Sequence, residues 1–198
     1  VRLISKLLKA VFSWMLVCDS RNLEMAGAIY LPAMGVKKGE GRLVQVGEKG
    51  MAIATDLYKK GIAPVIILSN AYLAFWQEEW ELKLKLTDAA GIPREAVIPL
   101  RPDPTQNFTT SNSETEWLGA VIRERGLKTI IVVNEEWHMM RTLSMLKKRY
   151  QEVGFQALNI RNARLEAHKA HPSIKGYTTC EGLWPLENIL LALFLRTN

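Results

Sequence analysis

Two residues at helical spacing invite a chemical reading first. His138 and Arg141 stand three apart in the run Trp137-His138-Met139-Met140-Arg141, and residues at that spacing project from one side of a helix. An imidazole beside a guanidinium suits an oxyanion, with Arg141 as a bidentate clamp and His138 as proton donor or acceptor. The blander reading is a partly buried His138 with Arg141 paired to Glu135 or Glu136, and on spacing alone it holds a slight edge. A second candidate is Thr109-Thr110-Ser111-Asn112-Ser113, which sits just before a helical pattern. Free N–H groups at a helix start bind anions, and hydroxyl or amide side chains cap them. Capping explains one such residue well and five in a row poorly, so Thr110 and Ser111 are candidate ligand residues.

Other chemistry-bearing runs are weaker. Glu166, His168 and His171 have metal-ligand types, but Pro172 follows at once and no fourth ligand is evident; they read as a polar loop, and no metal is expected. Lys37-Lys38-Gly39-Glu40-Gly41 has neither the P-loop nor the dinucleotide glycine spacing and reads as a mobile loop over a crevice. Trp76 and Trp80 flank Glu79 and read as packing or rim aromatics.

The elements that must position these residues show in the alternation of the chain. Apolar runs at 26–31, 64–68, 96–100, 129–133 and 155–160 are separated by helical patterns, the last four of which, at 48–60, 78–90, 111–125 and 138–153, each close on a glycine: Gly61, Gly91, Gly126 and Gly154. Uninterrupted β-branched runs mark strands buried on both faces, the habit of parallel sheets. The expected fold is therefore α/β: a Rossmann-like doubly wound, mostly parallel five-stranded sheet with helices on both faces. Ligands of such sheets lie beyond the carboxyl ends of the strands, where strand order reverses. That rule selects residues 32–39, 69–76, 101–113 and 134–141, and with them Gly35, Ser69, Asn70, Thr110, Ser111 and Asn134 as ligand-binding candidates.

Composition bounds the rest. The chain has 198 residues, 48% hydrophobic and 23% charged, which fits one globular domain and excludes disordered and collagen-like classes. Its two cysteines, Cys18 and Cys180, form no C-x-x-C pair, so a disulfide scaffold and a zinc ribbon are excluded. The net charge of +6 favours anionic partners such as phosphates, nucleic acid or an acidic membrane face, and a plain solvated basic surface explains it equally well. The basic residues are scattered, without the aromatic-lined stripe of a nucleic-acid protein, so no nucleic acid is expected. No apolar run reaches the ~20 residues of a membrane span. Residues 3–17 read as an amphipathic helix whose basic residues, Phe12 and Trp14 would suit peripheral membrane association, although packing against the domain is favoured. The expected layout is an N-terminal helix within 1–20 and a single domain over 24–198, ending in a docking helix at 184–195.

The run 129–141, Thr-Ile-Ile-Val-Val-Asn-Glu-Glu-Trp-His-Met-Met-Arg, resembles the strand and V-T-S-x-Y-H-x-x-R segment of the YdcF-like family, which includes SanA and ElyC. Ala54-Thr55-Asp56-Leu57-Tyr58 with Gly61, Pro64 and Val65 to Ser69 is similar to the family's A-x-x-L-Y…G…P-x-I-x-x-S. Glu79 stands where the family has an acidic residue ahead of its G-V-P, here Gly91-Ile92-Pro93, and Thr110-Ser111 takes the place of its N-T-x-E-N. The chain departs from the pattern at Gly50, where the family has an arginine. It departs again at Asn70-Ala71 in place of two glycines, and at Glu135 and Glu136 in place of small residues.

The resemblance implies a Rossmann-like domain of the bacterial cell envelope or inner membrane, with the cytoplasm as the alternative. It implies S-adenosylmethionine as the one cofactor to consider, since a branch of the family binds it. It carries over His138, Arg141, Glu79 and Ser69 as site residues. The expected function is binding of a phosphorylated or nucleotide-like anion. In the hydrolytic form His138 would be general acid/base, Glu79 would orient it or activate water, and Arg141 with the 110–111 helix start would stabilise negative charge. The alternative is a non-catalytic module that binds S-adenosylmethionine or an envelope precursor.

Overall fold

The five apolar runs become five strands and the helical patterns between them become four helices. The computed structural model describes residues 22–37, 39–70, 76–100 and 111–161. In chain order these are β1 (Ala28–Leu31), α1 (Gln45–Lys59), β2 (Ile66–Leu68), α2 (Trp76–Ala89), β3 (Val97–Pro99), α3 (Ser111–Arg125), β4 (Thr129–Glu135), α4 (Glu136–Arg149) and β5 (Gly154–Ile160). The strand order is β3-β2-β1-β4-β5. All four pairings are parallel, so the sheet expected to be mostly parallel is parallel throughout. The chain winds outward from β1 to β3, then returns to lay β4 against the other side of β1. The switch point therefore lies between β1 and β4.

Alternation along the central strands sorts the core into two layers. Ile29 and Leu31 face the same side as their register partners Ile66, Leu68 and Ile131, with Met51, Ala54 and Leu57 of α1 packed over them. Ala28 and Tyr30 face the other side with Ile67, Ile130 and Val132, beneath Leu118 and Ile122 of α3 and Met139, Leu143 and Leu146 of α4. Side chains of a strand point alternately to opposite faces, and both faces are covered, so every residue of β1 is buried. This is the doubly wound α/β architecture.

Gly61, Gly91 and Gly126 take positive φ just past α1, α2 and α3, where a left-handed residue closes the last turn. Gly154 does not end a helix. It is the first residue of β5, donating its N–H to Lys128 O at 2.8 Å. α4 stops earlier, at Arg149, because Tyr150 turns in to pack on Gly119 and donates its hydroxyl to Thr115 O of α3 at 2.9 Å. β4 runs two residues past its expected end, and α4 follows with no loop between.

The segment expected to be a mobile loop lies within an isolated antiparallel bridge of Val36 to Leu43, with Lys37 N donating to Arg42 O at 2.7 Å. At its tip Glu40 pairs with Lys37 and Arg42 at 2.6 and 2.9 Å. Hydrogen bonds from Lys37 first and Arg42 second hold its carboxyl below the ordinary range. Among the described residues no helix is long and apolar enough to cross a membrane. The N-terminal helix expected within 1–20, the docking helix at 184–195, Thr110, and the set Glu166, His168 and His171 lie outside the described residues.

Candidate functional site

β1 ends at Leu31, and the chain must turn without strand partners for its next N–H groups. Two helices supply acceptors. Glu114, in the first turn of α3, takes the N–H of Ala33 on Oε1 at 2.9 Å. Glu79, in the first turn of α2, takes those of Met34 and Gly35 on its own Oε1 at 3.2 and 3.3 Å. Three consecutive backbone donors thus end on two carboxylates. Gly35 needs its glycine, since its φ is 87°.

Lys83, one turn further along α2, completes the cluster. Its Nζ lies 2.7 Å from Glu79 Oε1, both side chains are wholly buried, and the same ammonium donates to the carbonyl of Ser69 at the end of β2. A buried carboxylate is costly unless it is paired and hydrogen-bonded, and Glu79 has both kinds of partner. Glu114 is placed differently. Burial raises its carboxyl above the ordinary range; the nearby Ser69 hydroxyl, the Ala33 N–H and the charge of Lys83 pull it back, while Glu79 adds to the rise. Tyr30, on the adjacent face of β1, is pushed well up by burial and then by Glu114.

Across the switch point the chemistry is sparser. Arg141 Nη2 lies 2.7 Å from His138 Nε2. A guanidinium has donors only, so Nε2 is the acceptor and the imidazole is neutral. Burial, and then the Arg141 charge, hold His138 well below its usual range. Asn134 buttresses the strand-to-helix junction. Its Nδ2 donates to Thr142 Oγ1 at 3.0 Å and its Oδ1 accepts the Glu135 N–H at 2.8 Å.

The structure therefore gathers Gly35, Ser69 and Glu79 into one cluster on the β1 side, and joins His138 to Arg141 on the β4 side. Asn70 is buried two residues past β2, and Ser111 is the first residue of α3. Asn134 and the Gly35 N–H each have an internal hydrogen-bond partner. Gly50, where the family pattern has arginine, lies under the sheet: a Cβ there would fall 2.7 Å from Leu31 Cδ1 and 2.9 Å from Ile160 Cδ1.

Sequence reasoning missed Lys83 and Glu114. Lys83 follows Glu79 at i+4, an ordinary ion-pair spacing, and its burial left no mark on composition. Glu114 closes the hydroxyl-rich segment and was passed over for its neighbours. Among the described residues no group of His, Cys, Asp and Glu is arranged to hold a metal ion.

Fold and site together define a Rossmann-like α/β domain with charged groups on both sides of its switch point. No family model matches the chain, and no curated protein matches it.

Proposed function

We propose that the carboxyl edge of the sheet binds an anionic small molecule, phosphorylated or nucleotide-like, with Arg141 as its clamp. The observation that carries this reading is the Arg141–His138 pair beside the β1/β4 switch point, the place where open α/β sheets take ligands. The neutral imidazole accepts from the guanidinium and fixes its plane while leaving its charge whole. A guanidinium held in one plane suits the paired oxygens of an anion.

In the hydrolytic form of the proposal, His138 enters as a base. It starts without a proton because of its burial and then of the Arg141 charge, and an arriving anion offsets the second of these. Glu79 already serves two amides and one ammonium, which favours a supporting part over the activation of water. The non-catalytic form, with S-adenosylmethionine or an envelope precursor as ligand, draws support from the same engagement of Glu79. The YdcF-like assignment and the cell-envelope or inner-membrane location belong to this proposal and rest on the sequence resemblance.

The test is a thermal-shift screen of nucleotides, sugar phosphates and S-adenosylmethionine, with phosphate release measured alongside. Stabilisation by a phosphorylated compound that R141A abolishes supports the reading. Release of phosphate that H138A removes assigns hydrolysis, and stabilisation without release assigns binding alone. Stabilisation that R141A leaves unchanged overturns the clamp.

A further inference from the structure

In a doubly wound sheet the N–H groups just after β1 are the backbone donors nearest the switch point, and consecutive N–H groups make a natural cradle for an anion. Here Ala33, Met34 and Gly35 already have anions: the carboxylates of Glu114 and Glu79. We propose that Glu79, Lys83 and Glu114 are positioning residues, which fill the β1 amides with the protein's own carboxylates and so direct a ligand's anion to Arg141 across the switch point. The routing half rests on the anion-site reading above; the positioning half stands on the internal geometry alone.

Each member has a distinct part. Glu79 holds two amides through a single oxygen, which fixes the turn at Met34–Gly35. Lys83 sets its ammonium against the Glu79 carboxylate, and its bond to the Ser69 carbonyl ties that turn to the end of β2. Glu114 holds Ala33 from the opposite helix layer, so the β1 loop is gripped from α2 and α3 together. A phosphate approaching these amides would meet like charge and occupied donors. On the β4 side it would meet the Arg141 guanidinium, beside an imidazole that adds no charge.

Amide NMR on the full-length 15N-labelled chain tests both halves, with inorganic phosphate as the probe. Phosphate should shift the amides of residues 138–141 and leave 33–35 in place; shifts centred on 33–35 overturn the routing. If phosphate moves neither set, the anion-site reading falls and the routing with it, while hydrogen exchange still judges the positioning.

K83M should speed exchange at Met34 and Gly35 by about 10-fold relative to the core amide of Ile131. E79Q/K83M, which keeps an acceptor for both amides without the buried charges, should recover most of that protection. E114A should free Ala33 alone, which serves equally well if K83M does not fold. Unchanged exchange at 33–35, or a loss spread evenly over those amides and Ile131, overturns the positioning role.

Discussion

The two sides of the switch point solve the same problem with opposite chemistry. On the β1 side a buried ammonium and two carboxylates come in from two helices and lock a loop, with each charge answered by a partner. On the β4 side the strand runs directly into α4, so little loop needs locking, and a neutral imidazole leans on a guanidinium from the same helix. The first arrangement is built for rigidity, and the second sets a guanidinium beside an uncharged side chain. The difference teaches that charged residues at a sheet's carboxyl edge need not be ligand residues. On the β1 side the protein's own backbone already answers the charge.

The contrast breaks most visibly at Lys83. Replacing one partner of a buried ion pair strands the other, at a cost of about 3–5 kcal/mol, so K83M should lower stability by that order in denaturant unfolding. A loss under about 1 kcal/mol would mean the pair behaves as a surface bridge.

pH sharpens the comparison because the two sides have opposite signs. His138 is depressed in the folded protein below its ordinary 6.5, so the stability it contributes is present above 6.5 and lost as pH falls through its folded value. Glu114 is raised above its ordinary 4.5, so the stability it contributes is complete below 4.5 and lost as pH rises through its folded value. Each can tilt stability by at most about 1.4 kcal/mol per pH unit, the worth of one proton. Thermal melts over the interval between those two ordinary values should show a shallower acid decline in H138Q and a steeper one in E114Q. Parallel curves for both variants would contradict the assigned environments.

The smallest effect belongs to a control remote from both sides. Lys60 and Asp56 pair at 2.7 Å on the exposed end of α1, and D56A should change stability by no more than about 0.5 kcal/mol. A larger loss would show that exposed pairs matter here as much as buried ones, and would blur the comparison.

α2 shows how far the sequence could be followed. Its existence and its end were legible, since Gly91 and Pro93 mark the stop. Its orientation was not. Trp80, Leu82, Leu84 and Leu86 recur at every second residue, which spreads them over both flanks of a helix and marks no single apolar stripe. The structure puts Glu79, Lys83 and Thr87 on the wholly buried stripe and leaves Leu86 39% exposed. The site followed the same course. Spacing paired His138 with Arg141 correctly, because i, i+3 geometry is local. The hydroxyl-rich segment drew attention to Thr110 and Ser111, while its described contribution to the β1 loop comes from Glu114, whose partner Ala33 lies 81 residues away.

By itself the sequence determined the elements and the class of sheet: β-branched runs can be satisfied only between two covered faces, and glycines must stand where a helix ends left-handed. It determined as well that His138 and Arg141 share a side. Tertiary structure alone decided which face of α2 turns inward and which carboxylates stay within the protein. Those choices depend on unpartnered N–H and C=O groups at the ends of β1 and β2, and such groups exist as a set only once strands far apart in the chain lie side by side.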